Sequence, residues 1–166
     1  MNKFNKSIYV TKYLSFVFTI LFISFFTESD LNLNKLNVPE GFEISIFADN
    51  LQSPRQIAET KAGYVIAGSK KGDKIYALND TDLDGYAEQR ILIADNLQNP
   101  TGVTIHNGDL YFAEIDTIWI VKDIDSWLDS KSKSLPVKTI FMNDLPSETW
   151  HGFKYIDFGP DGNLYI

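Results

Sequence analysis

Ala48-Asp49-Asn50-Leu51-Gln52-Ser53-Pro54 returns as Ala94-Asp95-Asn96-Leu97-Gln98-Asn99-Pro100, six identities in seven positions at an offset of 46 residues. The register continues past the heptapeptide: Ile57 falls opposite Val103, and Tyr64-Val65-Ile66-Ala67 opposite Leu110-Tyr111-Phe112-Ala113. A third copy appears as Gly162-Asn163-Leu164-Tyr165-Ile166, its glycine 54 residues after Gly108. Repeats of about 40 to 50 residues made of short strands mark β-propeller blades, whereas helical repeats carry a 3.6-residue apolar period that this chain lacks.

Alternation and turn residues place strands within each unit. Gly41 to Ala48, with Phe42, Ile44, Ile46 and Ala48 on one face, alternates with period two and predicts a strand. Arg55 to Ala58, Tyr64 to Gly68 and Lys74 to Leu78 follow, separated by Lys61-Ala62-Gly63 and Lys71-Gly72-Asp73, and Arg90 to Ala94 leads into the second unit. There the strands are Gly102 to Ile105, Leu110 to Glu114 and Thr117 to Val121, the first two joined at Asn107-Gly108, whose residues both tolerate positive φ. In the third unit Lys154 to Phe158 and Leu164 to Ile166 flank Gly159-Pro160-Asp161-Gly162. Asp125 to Lys131 predicts a short helical turn at most.

The composition agrees with a packed β domain. Of 166 residues, 44% are hydrophobic, 14% aromatic and 22% charged, which excludes wholesale disorder and fibrous classes. Fifteen Lys plus Arg against 22 Asp plus Glu give a net charge of −7, without the basic stripe that nucleic-acid binding needs. With no cysteine, the chain has no disulfide, thiolate zinc site, covalent haem attachment or cysteine nucleophile of its own.

Lys3, Lys6 and Lys12 precede an apolar run from Leu14 to Phe26 broken only by Ser15, Thr19 and Ser24. A basic n-region before a 13-residue apolar segment is an export signal pattern, and a spanning helix needs about 20 apolar residues. Phe25-Phe26-Thr27-Glu28-Ser29 offers no small-x-small cleavage site, so residues 1 to 30 read as a signal peptide or an uncleaved N-terminal anchor. Membrane association is expected only through that segment, and the domain is expected to be periplasmic or secreted. Residues 1 to 30 carry three Lys against Glu28 and Asp30, or +1, so the remainder carries −7 − 1 = −8.

Propellers close with about four to eight blades, so at ~45 residues each even a small ring needs roughly 180 residues beyond the signal. Gly41 to Ile166 supplies 126 and ends inside a strand, so residues 38–166 are expected to be the N-terminal part of a truncated propeller domain, about two and a half blades.

Asp80-Thr81-Asp82-Leu83-Asp84-Gly85-Tyr86-Ala87-Glu88 sets carboxylates at positions 1, 3, 5 and 9 around a glycine at position 6, with the Tyr86 carbonyl at position 7. Ca²⁺ takes six to eight oxygens, and Asp80, Asp82, Asp84, Tyr86 and Glu88 supply such donors. Position 12 is Ile91 and neither flank is helical, so this is a D-x-D-x-D-G surface loop and no EF-hand. The competing reading is a solvated acidic loop.

Of the two histidines, His106 precedes the Asn107-Gly108 turn and reads as an exposed turn residue. His151 lies in Trp150-His151-Gly152-Phe153-Lys154-Tyr155-Ile156, just before the inner-type strand of the third unit. Connections leading into inner strands line one mouth of a propeller channel, where a histidine can take a proton from a substrate hydroxyl. On position alone a structural, hydrogen-bonding histidine fits as well.

Together, Pro39-Glu40-Gly41-Phe42-Glu43-Ile44, the aspartate loop, Asn99-Pro100-Thr101-Gly102-Val103, Leu110-Tyr111-Phe112-Ala113-Glu114, the Trp150 to Ile156 block and Gly159-Pro160-Asp161-Gly162 resemble a known family. The chain from residue 38 to 166 is similar to the sorbosone dehydrogenase-like branch of the soluble quinoprotein sugar dehydrogenases. The resemblance implies a six-bladed all-β propeller that holds pyrroloquinoline quinone (PQQ) over the channel mouth with a Ca²⁺ that polarises the quinone. It implies oxidation of an aldose or aldehyde, with His151, eight residues before Gly159, in the position of the base. The family has an Asp or a second His before that base, whereas this chain has Trp150, whose ring can stack on a sugar or quinone. Most cofactor contacts and the catalytic Ca²⁺ ligands fall in later blades of the family, so the Asp80 loop is not equated with them.

Arg55, Thr101 and Lys154 are equivalent under the repeat alignment, and Arg55 and Lys154 are candidates to face the carboxylates of PQQ. Ordinary strand-end charges are the alternative for both, and Glu114 and Asp116 are either channel-facing or solvated. A cytochrome-type electron acceptor is the expected partner. The competing function is a noncatalytic propeller that binds a carbohydrate or protein; a lactonase-like site would need a carboxylate or Asn cluster on inner strands that is not seen.

Overall fold

The computed structural model describes residues 33–166; the expected signal or anchor, residues 1–30, lies outside them. The chain divides into residues 1–37, whose described part includes the 3-10 turn Leu33–Lys35, and residues 38–166. Among the described residues no helix is long and apolar enough to cross a membrane.

Residues 38–166 are all-β with one short helix. β1 (Pro54–Glu59), β2 (Val65–Ser69), β3 (Ile75–Asn79) and β4 (Gln89–Ala94) form a four-stranded antiparallel meander in sequence order. β5 (Gly102–His106), β6 (Asp109–Ala113), β7 (Ile118–Val121) and β8 (Lys138–Met142) repeat it, and β9 (Asp157–Phe158) pairs with β10 (Leu164–Tyr165) in a two-stranded sheet. The duplicated heptapeptide thus leads into the first strand of each four-stranded sheet, and the Asn107-Gly108 turn, with φ of 53° and 84°, closes the β5–β6 hairpin.

Period-two alternation stacks the units face to face. Ile66, Ile75, Ala77 and Ile93 of the first sheet meet Val103, Leu110, Phe112 and Val121 of the second, and Leu97, Ile124 and Leu128 seal the layer. The other face of the second sheet turns Tyr111, Ala113, Ile118 and Ile120 onto Ile156, with Phe158 and Leu164 alongside. On the outer face of the first sheet Ala67, Leu78 and Ala87 are covered by Phe47, Ala48 and Leu51. β6 is covered on both faces, which is why Leu110-Tyr111-Phe112-Ala113 reads as an unbroken apolar run. Full burial of a side chain such as Phe112 is worth about 1.5–3 kcal/mol.

Several expectations are corrected. Gly41 to Ala48 is not a strand: Phe42 is 72% exposed, and among the described residues no edge runs alongside to complete a ladder, although the Ala87 N–H reaches the Phe47 carbonyl at 2.7 Å. Alternation gives a segment an apolar face, but strand geometry also needs a hydrogen-bonding neighbour. β8 is a fourth strand that the sequence did not announce, because Ile140-Phe141-Met142 is an apolar run without alternation. It is held by its β7 ladder and by Lys138, whose ammonium lies 4.3 Å from the Trp119 ring centroid.

The helical hint is a six-residue helix, α1 (Ile124–Asp129), anchored by buried Ile124 and Leu128. His106 is half-buried at the end of β5, its ring stacked on Phe158 at 3.9 Å and 13°, because the third unit covers that end of the second sheet. In the third unit the ladder also closes over fewer residues than Lys154 to Phe158 and Leu164 to Ile166.

Candidate functional site

Strand direction sorts the connections. Antiparallel neighbours put the start of β1, the β2–β3 turn, the start of β5 and the β6–β7 turn at one end of their sheets; the β1–β2 turn, the β3–β4 loop and the β5–β6 turn lie at the other. The residues leading into β9 join the first group, since Gly102 lies against Lys154 and Ile156, and the Thr104 hydroxyl donates to Asp157 Oδ1 at 2.9 Å. His151 and the Asp80 loop therefore belong to opposite ends.

At the His151 end three units meet. The Gln56 amide bridges the first to the third, Nε2 donating to the Ile156 carbonyl at 2.8 Å and Oε1 accepting the Ile156 N–H at 3.3 Å. Next to it the Arg55 guanidinium donates to the Tyr155 hydroxyl and lies 5.7 Å from that ring's centroid. From the β2–β3 turn the Lys70 ammonium sits over the Phe153 ring at 4.9 Å. Lys154 folds back on its own loop, donating to the Gly152 carbonyl at 2.7 Å.

His151 is exposed, with φ of 58°, in the left-handed region that costs a non-glycine residue roughly 1 kcal/mol or more. Its ring meets the Trp150 indole edge-on at 5.0 Å and 87°, and Trp150 is itself 84% exposed. Beneath them Gly152 is buried where a Cβ would run into the Glu148 carbonyl, so the turn holds His151 from below. An exposed imidazole beside a bare indole can meet a solute hydroxyl and the ring that carries it.

Charge balance at this end is distinctive. The described ion pairs are Lys74–Asp73, Arg90–Asp49 and Lys122–Asp109, so Arg55, Lys70 and Lys154 have aromatic, hydroxyl or carbonyl partners and no carboxylate among the described residues. Of the other candidates, Thr101 is fully buried, its hydroxyl on the Asn99 carbonyl at 3.2 Å. Glu114 is a tie: its carboxylate accepts the Gln98 N–H and, at 2.6 Å, the Trp119 indole N–H. Asp116 accepts the Thr117 hydroxyl at 2.9 Å. The sequence reading missed Lys70, Gln56 and Tyr155. The adjacent Lys70-Lys71 pair is the one local hint, and the partners of all three lie in another unit.

At the opposite end, the β3–β4 loop brings one ligand oxygen each from Asp80, Asp82, Asp84 and Glu88 within 4.8 Å of one another. Asp80 accepts the Asp84 and Gly85 N–H groups at 3.2 and 2.8 Å, Asp84 accepts the Tyr86 N–H at 2.8 Å, and Leu83 and Gly85 take φ of 62° and 94°. The Thr81 N–H and then its hydroxyl, both 2.9 Å from Glu88 Oε2, hold the Glu88 carboxyl below its ordinary value. That contribution to loop order is fully present above pH 4.5, the ordinary value, and is lost as pH falls through the lowered one.

The chain is thus an all-β protein of consecutive antiparallel sheets with a cation-and-aromatic cluster at one end. It belongs to the family described as Domain of unknown function (DUF7133), whose sequence profile matches residues 30–166. An uncharacterized protein of Borreliella burgdorferi is 27% identical over 131 residues, 78% of this chain and 33% of that protein. The chain therefore spans about a third of the length of that relative. Among solved structures, a candidate oxidoreductase (glucose dehydrogenase) of Thermus thermophilus aligns with a TM-score of 0.49 and 17% identity, over 70% of this chain and 37% of that one.

Proposed function

We propose that these sheets are blades of a six-bladed β-propeller and that the full-length protein is an exported quinoprotein oxidoreductase, oxidising an aldose or an aldehyde hydrate with PQQ. The observation that carries this reading is the gathering of exposed His151, exposed Trp150 and carboxylate-free cations at one end of the inner strands β1, β5 and β9. Those residues suit the group: PQQ is flat and carries three carboxylates, and the chain offers guanidinium, ammonium and ring faces there. When bound, PQQ supplies a two-electron acceptor for the hydride of the substrate C–H bond.

His151 takes the hydroxyl proton of the carbon being oxidised, so the O–H bond breaks toward the imidazole as the C–H bond is lost. Trp150 stacks on the sugar ring and orients that hydroxyl. Arg55 and Lys154 hold cofactor carboxylates, and a cytochrome-type protein is the proposed acceptor that restores the oxidised cofactor. The exposed indole equally suits a noncatalytic propeller that holds a carbohydrate against Trp150; in that case Trp150→Ala abolishes binding and no substrate is turned over with PQQ.

The Asp80 loop is proposed as a Ca²⁺ site that orders the β3–β4 connection, with the Tyr86 carbonyl completing the carboxylate set. Asp82→Asn together with Asp84→Asn is expected to weaken Ca²⁺ at this site at least about tenfold by calorimetry. Because the loop is at the far end from His151, kcat under saturating PQQ should change less than about twofold. Unchanged calcium affinity would leave this an ordinary acidic loop.

A further inference from the structure

We infer that Lys70 is the third member of an anion-binding rim with Arg55 and Lys154, contributed by the β2–β3 turn and built to take a flat polycarboxylate at the His151 end. This rests on the quinoprotein reading for the identity of the ligand and on geometry for the rim itself. Arg55 from β1, Lys70 from the β2–β3 turn and Lys154 from the segment before β9 all close on residues 152–155, although they come from separate segments of the chain.

Each has a partner that leaves its charge unneutralised. Lys70 lies on the Phe153 ring face, Arg55 on the Tyr155 hydroxyl and ring, Lys154 on the Gly152 and Pro146 carbonyls. The carboxylate nearest in sequence to Lys70, Asp73, is already taken by Lys74 at 2.8 Å. In a chain of net charge −7, three cations that close on one loop without a carboxylate ion-pair partner among the described residues each offer a charge to an incoming anion.

The aromatic contacts also fix the ligand's shape. An ammonium on a ring face still has N–H donors free for an anion on its other side, and the Phe153 and Tyr155 rings lie against Lys70 and Arg55. Such a rim discriminates for several carboxylates carried on one rigid plane over a single mobile one.

The test is equilibrium titration of the calcium-loaded full-length protein with PQQ, followed by quenching of tryptophan fluorescence, beside titration with benzene-1,2,4-tricarboxylate. Lys70→Gln is expected to raise the PQQ Kd at least about tenfold, the loss of one charge-assisted contact. Lys70→Arg, which keeps charge and ring contact, stays within about threefold. Lys61→Gln removes the same charge from the β1–β2 turn at the opposite end and leaves Kd within about twofold.

If wild type binds PQQ and Lys70→Gln binds it as well as Lys61→Gln does, the rim inference is overturned while the dehydrogenase reading stands. Should wild type fail to bind PQQ yet bind the benzene tricarboxylate in a Lys70-dependent way, the rim stands and the cofactor assignment falls. Binding of neither ligand removes both.

Discussion

Gly102→Ala is expected to cost the protein about 3 kcal/mol of stability, read as a lower urea midpoint at unchanged slope. A Cβ at this position would lie 2.5 Å from the Lys154 carbonyl oxygen and 3.1 Å from Ile156 Cγ1. The first obstacle is backbone, so no rotamer change relieves it, and β5 or the segment before β9 has to move. That seam also carries the Thr104–Asp157 hydrogen bond and leads directly to the His151 loop. A variant with an unchanged midpoint would mean that the second and third units are not packed at this distance.

His151→Ala is expected to lower turnover at least about 100-fold with PQQ affinity within about threefold. The imidazole is exposed on a turn held by Gly152, beside Trp150, at the end where three units meet. Loss of a base acts on kcat in a protein of unchanged stability, whereas loss of a merely structural contact would lower stability. A decrease below about tenfold would return His151 to a structural role.

Trp150→Ala should behave differently, raising KM more than it lowers kcat, since a stacking contact serves ground and transition states alike. Comparable loss in kcat alone would argue against the stacking role.

What was legible in the sequence followed the range of the interactions. The heptapeptide repeat and the apolar runs around Ile66 and Phe112 announced the first four-stranded sheet and three strands of the second, because hairpins and alternation are local. Gly41 to Ala48 misled because a ladder partner is not written in the strand itself, and β8 escaped because its pairing with β7 compensates for a sequence without alternation. His106 looked like a turn residue until Phe158, from a different unit, was laid on its ring.

The candidate site divides in the same way. The carboxylates of the Asp80 loop sit in one short stretch, so their grouping within 4.8 Å is a local matter. Arg55 and Lys154 were picked out by the repeat alignment, which is a statement about equivalent strand ends. Lys70 has no repeat partner of its kind and gains meaning only through Phe153, a contact made by folding. Glu114 shows the converse: its place at a turn left it either channel-facing or solvated, while the Trp119 indole and the Gln98 backbone N–H use it as a tie.

The central claim is tested most directly by reconstituting the full-length protein, purified without residues 1–30, with PQQ and Ca²⁺ and following reduction of an artificial electron acceptor across a panel of aldoses and aldehydes. The account predicts turnover that depends on added PQQ and on at least one aldose or aldehyde. A folded, calcium-loaded protein that neither binds PQQ nor reduces the acceptor with any of them would contradict it.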